Sequence, residues 1–156
     1  MSAPPPEKTS LTPQESLTAL LEECRMVLPG IQAIFGFQLI AVFNQPFREL
    51  LGYGQQVAHL TALCLMALAI GTVLAPAAYH RLVEPDSVSR YFLRLASRLL
   101  TAGMVFFMSG LLVDVFLIAG IILHSSAAAG ALTVAIALVL VGLWFLFPAA
   151  KSRRSR

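Results

Sequence analysis

Residues Leu99–Leu123 read LLTAGMVFFMSGLLVDVFLIAGIIL, and after His124-Ser125-Ser126 the chain continues as AAAGALTVAIALVLVGLWFLF over Ala127–Phe147. These runs of 25 and 21 residues contain one charged side chain between them, Asp114. A helix rises 1.5 Å per residue, so each run is long enough to cross a hydrocarbon core of about 30 Å. Three polar residues make a tight connection. The stretch therefore predicts two transmembrane helices joined as an antiparallel hairpin.

Working outward, Leu60–Tyr79 is a third run, uncharged, with Pro76 in its last turn and His80-Arg81 closing it. Met26–Phe43 is the fourth and most polar, interrupted by Pro29, Gln32, Gln38 and two glycines. Pro29 is expected to kink its start. Asn44–His59 reads as a polar loop. Val83–Arg98 reads as a second loop, with Glu84-Pro85-Asp86-Ser87 as a turn and helix start. Thr12 is a candidate N-cap, with Pro13 at the first helical position and Glu15 where a capping box needs it. Leu17, Leu20, Leu21, Cys24 and Leu28 then share one face, which predicts a short amphipathic helix over 12–25 lying at the membrane surface. Residues 1–11 read as a disordered tail and 148–156 as a basic tail.

The composition agrees. Of 156 residues, 58% are apolar and only 12% charged, with a mean hydropathy of +0.79. So few charges cannot cover a water-facing surface, which excludes a soluble domain, a disordered chain and a disulfide scaffold. The formal charge of +3 in a soluble protein would raise nucleic acid as a partner, but here the basic residues flank apolar runs, and no nucleic-acid partner is expected. Cys24 and Cys64 have neither metal-ligand nor redox spacing, and no metal, cofactor or disulfide is expected. The first 25 residues contain no signal-peptide h-region, so the first span is expected to act as its own insertion signal.

Four spans put both termini and the second loop on one side. That side carries Lys8, Arg25, Arg81, Arg90, Arg94, Arg98, Lys151, Arg153, Arg154 and Arg156, and the other carries only Arg48. The excess of Lys and Arg predicts that both termini are cytoplasmic.

Asp114 is the residue most able to carry chemistry. An acid in mid-span costs a few kcal/mol to insert, so it should face the bundle interior and have a partner. It lies about 22 Å along its span, and Gln38 about 18 Å along the first span from the same side. The matching depths predict an Asp114–Gln38 hydrogen bond. Burial favours the protonated carboxyl, which makes Asp114, with Gln38 and Gln32, a candidate proton or cation site. The other reading is an acid paired with an amide that locks helix packing. Gly103 and Gly110 share a face with Asp114 and would let a neighbouring helix approach closely. His59, His80 and His124 all sit at span ends. Interfacial placement is their plain reading, and external pH sensing or metal binding by His59 or His124 the functional one.

Arg90, Arg94 and Arg98 form a stripe that can meet anionic lipid headgroups, or pair with Glu15, Glu22 and Glu23 of the N-terminal helix. Small residues recur at every fourth position in the second span (Ala67, Gly71, Ala75) and the fourth (Ser125, Ala129, Thr133, Ala137), suited to packing within the chain or to a homo-oligomer. No nucleophile motif, phosphate-binding glycine loop or paired carboxylates appear, so an enzyme is not expected.

Three segments carry a resemblance: Arg25–Leu39 (RMVLPGIQAIFGFQL), Phe43–Leu50 (FNQPFREL) and Ala75–Arg81 (APAAYHR). Over roughly residues 20–120 the chain resembles a family of small, uncharacterised bacterial four-span membrane proteins, sometimes labelled sodium:proton antiporters. The resemblance implies a bacterial inner-membrane location and a polar first span, and draws attention to Gln32, Gln38, His80 and Arg81. The expected fold is an all-α four-helix transmembrane bundle with a short N-terminal amphipathic helix. The expected role is structural or accessory, through self-association or a membrane partner. The alternatives are a proton-linked transporter or channel using Asp114, and a sensor signalling through the N-terminal helix.

Overall fold

The computed structural model describes residues 12–154, with nothing stated of the side chains beyond Lys151; the expected N-terminal tail over 1–11 and the last two residues lie outside the described residues. The described chain is helical throughout. The elements are α1 (Pro13–Phe43), α2 (Gln45–Leu50), α3 (Tyr53–Val83), α4 (Arg90–Leu123), α5 (Ser126–Val141) and α6 (Phe147–Arg154), the last two joined through Gly142–Leu146. Four helical stretches are long and apolar enough to cross a membrane. Their outer faces are apolar too. Phe37 is 73% exposed and Leu138 69%, a surface that suits acyl chains rather than water.

The helices are longer than the apolar runs that predict them. α1 begins where the sequence places it. The Thr12 hydroxyl accepts from the Glu15 N–H at 3.3 Å, while Glu15 Oε2 accepts from the Thr12 N–H at 2.7 Å. No break then separates the amphipathic segment from the first span, and Pro29 sits inside one 31-residue helix. The apolar face of the segment has a protein partner. Leu17 packs with Phe92 and Ala96 at the start of α4, with Leu20 and Leu21 alongside.

The expected loop over 44–59 is mostly helix. Pro46 suits the first turn of α2. At the start of α3, Gln55 Oε1 accepts from the Gly52 N–H at 2.9 Å. α3 thus begins seven residues earlier than the apolar run, and His59 lies inside a helix instead of at its end. The second loop shrinks to 84–89. Ser89, not the Glu84–Ser87 stretch, caps α4, accepting from the Phe92 N–H at 3.0 Å, and the Glu84 carboxylate accepts from the Ser89 N–H and hydroxyl, both at 2.8 Å.

His124 makes the predicted tight hairpin by adopting a left-handed conformation, φ 51° and ψ 27°. The fourth span continues past Phe147 into the expected tail. It widens by one residue over Gly142–Leu146, where the Phe147 N–H donates five residues back to the Gly142 carbonyl. Pro148 lacks the N–H that would bond Trp144, which accounts for a wider turn at this place.

α3 and α4 form the central antiparallel pair, α1 packs against both, and α5 packs on α4. The seam is built from steps of three and four: His59, Ala62, Met66, Ala69, Val73 and Pro76 on α3, against Phe92, Ala96, Leu100, Gly103, Gly110 and Leu117 on α4, all buried. This is the periodicity of knobs-into-holes packing. Gly103 and Gly110 sit where the backbones come closest. A Cβ on Gly103 would lie 2.8 Å from Val73 Cγ2, and one on Gly110 would lie 3.2 Å from the Ala62 carbonyl. α5 uses its predicted small-residue face, with Ala129 fully buried and Trp144 stacked on Phe107 at 6.1 Å. The matching stripe of α3 does not pack: Ala67 and Gly71 are exposed, and a Cβ on Gly71 would meet nothing within 4 Å.

Candidate functional site

The two ends of the α3/α4 seam differ in chemistry. At the end where α1 and α4 begin, Phe92 is fully buried, stacked on Tyr79 at 5.4 Å and on His80 at 5.7 Å. At the opposite end, under α2, three polar side chains from three helices meet. Gln38 of α1, His59 of α3 and Asp114 of α4 lie about 8, 9 and 14 Å from their helix ends, so similar depth brings them together.

The predicted contact is present: Gln38 Nε2 donates to Asp114 Oδ2. The sequence reading missed the third member. His59 Nδ1 lies 3.1 Å from Asp114 Oδ1, and its Nε2 lies 3.1 Å from the backbone carbonyl of Gln38. His59 is 8% exposed and Gln38 5%.

These partners constrain the protons. A carbonyl can only accept, so a hydrogen bond at this nitrogen requires Nε2 of His59 to carry the hydrogen. Nδ1 and Oδ1 can bond only if one proton lies between them, on either atom. The pair is then imidazolium with carboxylate or imidazole with carboxylic acid, and both sum to zero charge. That solves the insertion problem that a lone aspartate poses. Phe47 of α2 presents its ring to His59 in a T-shaped arrangement, centroids 5.2 Å apart, within cation–π range of a charged imidazole.

Beside this group is a cavity of about 360 Å³, lined by the polar triad and by apolar side chains that include Ile34, Phe47, Leu51 and Leu117. Phe37 and Ile118 also line it and are 73% and 57% exposed, so its mouth lies on the outer surface between α1 and α4. Gln38 Oε1 is buried without a hydrogen-bond partner. Toward the terminal end, the seam closes on Met66, Ala69 and Val73 against the two glycines, and apolar side chains fill it.

The remaining predicted site residues lie elsewhere. Gln32 is exposed, on a different face of α1 from Gln38. Arg90, Arg94 and Arg98 are exposed on the outer side of α4, where Tyr91, Arg94, Leu95 and Arg98 border a shallow recess. Among the described residues, none of Glu15, Glu22 and Glu23 pairs with them; the N-terminal segment docks through leucines instead. His124 is exposed in the hairpin turn, and His80 is half-buried with Nδ1 unpartnered.

The sequence signal for His59 was its register. His59, Met66, Val73 and His80 are spaced by sevens along α3, as Ala96, Gly103, Gly110 and Leu117 are along α4. Reading both as one seam puts His59 beside the turn of α4 that carries Asp114.

The chain matches a family of unknown function, DUF6328, over residues 12–148. No curated protein and no solved structure matches it. The match covers most of the chain, which belongs to that family.

Proposed function

We propose that this member of the family is a small structural or accessory protein of the bacterial inner membrane whose core is locked by a buried polar cluster that ties three helices together. The observation that carries this reading is the placement of His59 between two acceptors, Asp114 Oδ1 and the Gln38 carbonyl, in a bond that ties α1, α3 and α4 together. Removing either side chain leaves the other's buried hydrogen-bonding atoms unpaired in apolar surroundings, so the three helices depend on the cluster as a unit. The charge asymmetry supports N- and C-termini in the cytoplasm, which puts the site in the outer half of the bilayer. The arginine stripe on α4 supports contact with anionic headgroups.

The test is thermal unfolding of the full chain in nanodiscs across pH. Asp114→Asn and His59→Gln should each lower the midpoint at every pH, and together should cost little more than either alone, because both break the same cluster. Additive or negligible losses would overturn the reading.

The second reading is proton-linked transport. The cavity beside a protonatable pair favours it, while the packed seam toward the terminal end disfavours it, because alternating access needs a second opening. Proton flux in proteoliposomes separates the two readings. The native protein should differ from empty vesicles, and from Asp114→Asn, only if it transports.

A further inference from the structure

The hydrogen-bonding capacity left over at the cavity floor is all of one kind. His59 has both ring nitrogens engaged, one with Asp114 and one with the Gln38 carbonyl. Each carboxylate oxygen of Asp114 has one protein partner and a lone pair to spare. Gln38 Oε1 is buried and has no partner. The floor can therefore accept further hydrogen bonds, and a molecule bound there should bring donors. Above the floor the walls are apolar, and the mouth opens on the lipid-facing surface between Phe37 and Ile118. At about 30 Å³ per water-sized group, 360 Å³ holds about a dozen heavy atoms.

We propose that the cavity binds a lipophilic primary amine in its ammonium form, in exchange for the proton shared by His59 and Asp114. The proposal rests on the same proton-holding site as the lock described above and names what can replace the proton. An ammonium has three N–H donors and one positive charge. Its hydrogens take the place of the shared proton, reaching Asp114 Oδ1 and the freed Nδ1 of His59. The shared proton leaves to water, and His59 keeps its Nε2–H on the Gln38 carbonyl. One positive charge enters and one leaves, so the site stays neutral at every stage that persists. A second charge in apolar surroundings would be costly, which makes the exchange obligatory.

Among the described residues, no other charged group lines the cavity. From α1 the site is faced by Gln38 and apolar side chains, from α2 by Phe47, from the residue after that helix by Leu51, from α3 by His59 itself, and from α4 by Asp114 and apolar side chains. Arg48 and Glu49 of α2 are exposed and do not line the cavity, His124 is exposed in the turn, and α5 carries no charged residue.

The experiment is calorimetric titration of the full chain in nanodiscs with 4-phenylbutylamine, repeated in buffers of different ionisation enthalpy. The expected result is release of about one proton per amine bound, with affinity rising up to about tenfold per pH unit while the free site holds its proton. The neutral isostere 4-phenylbutanol should bind more weakly and release no proton. Asp114→Asn should lose the proton-linked binding. Because that variant also cuts the lock, Ile118→Trp provides a second check: it fills the mouth, leaves the polar triad intact, and should abolish amine binding while the losses from the His59 and Asp114 variants stay coupled. Amine binding without proton release, equal binding of the alcohol, or amine binding unchanged in Ile118→Trp would each overturn the proposal. Coupled stability losses at His59 and Asp114 with no amine binding would overturn this proposal alone, whereas uncoupled losses would overturn the lock.

Discussion

His59 and His80 occupy equivalent positions three heptads apart on one helix, facing the same partner helix, yet their surroundings share little. His59 lies against an acid, an amide and a carbonyl beside an open cavity. His80 lies flat against Phe92 with Tyr79 beside it, and its buried Nδ1 has no partner. Position along a helix face is thus a statement about burial, and chemistry depends on what the neighbouring helices supply. One end of the seam is held by directional bonds around a proton. The other is held by stacked rings and the leucines of α1.

The comparison can be broken most directly at the polar end. His59→Ala leaves Asp114 as an uncompensated buried charge and should destabilise the fold by about 3–5 kcal/mol in equilibrium unfolding. Replacing both with leucine should recover most of that loss, because the cost comes from the unpaired charge. A double variant as unstable as the single would show that the pair itself supplies the stability. At the apolar end, Phe92→Ala should cost about 3 kcal/mol through lost burial. It should also expose residues 12–25 to protease, which His59→Ala should not do.

Between the two ends, Gly103→Leu drives a side chain into Val73 and Thr72 and should cost about 2 kcal/mol. Gly71→Leu, on the open face of α3, should change stability little. Similar losses from both would place a partner helix on the exposed stripe. The sharpest test of the histidines is a matched pair: His80→Phe should be neutral or stabilising by about 1 kcal/mol, since it removes an orphaned polar atom, whereas His59→Phe should be strongly destabilising. The smallest effect belongs to the hairpin turn. His124→Gly relieves a left-handed side-chain clash and should raise stability by about 1 kcal/mol.

Much of this was legible without coordinates. Runs of apolar residues identify the four long helices, because a membrane core imposes one length and one polarity on any helix that crosses it. The Asp114–Gln38 contact followed from depth alone, since two buried polar groups at one level have few other partners. The close approach at Gly103 and Gly110 followed from spacing.

What escaped was set at the margins of the apolar runs. Hydropathy marks where a helix is apolar, not where its hydrogen bonds begin. Gly52 and Gln55 start α3 seven residues before Leu60, and that shift moved His59 from an assumed interface into the interior. The N-terminal segment was legible as amphipathic, but its partner was not. An apolar face can lie on lipid or on protein, and Phe92 decides the matter from the other side of the fold.

Local sequence is enough to specify an all-helical chain with four segments able to cross a membrane, and one acid that has to be buried and paired. Those features depend on local length, polarity and the cost of placing charge in an apolar medium. That the acid's second partner is a histidine, and that a cavity opens beside the pair, is set by tertiary packing. Those features depend on side chains from separate helices meeting within about 3 Å, a distance set by packing and carried by no single stretch of sequence.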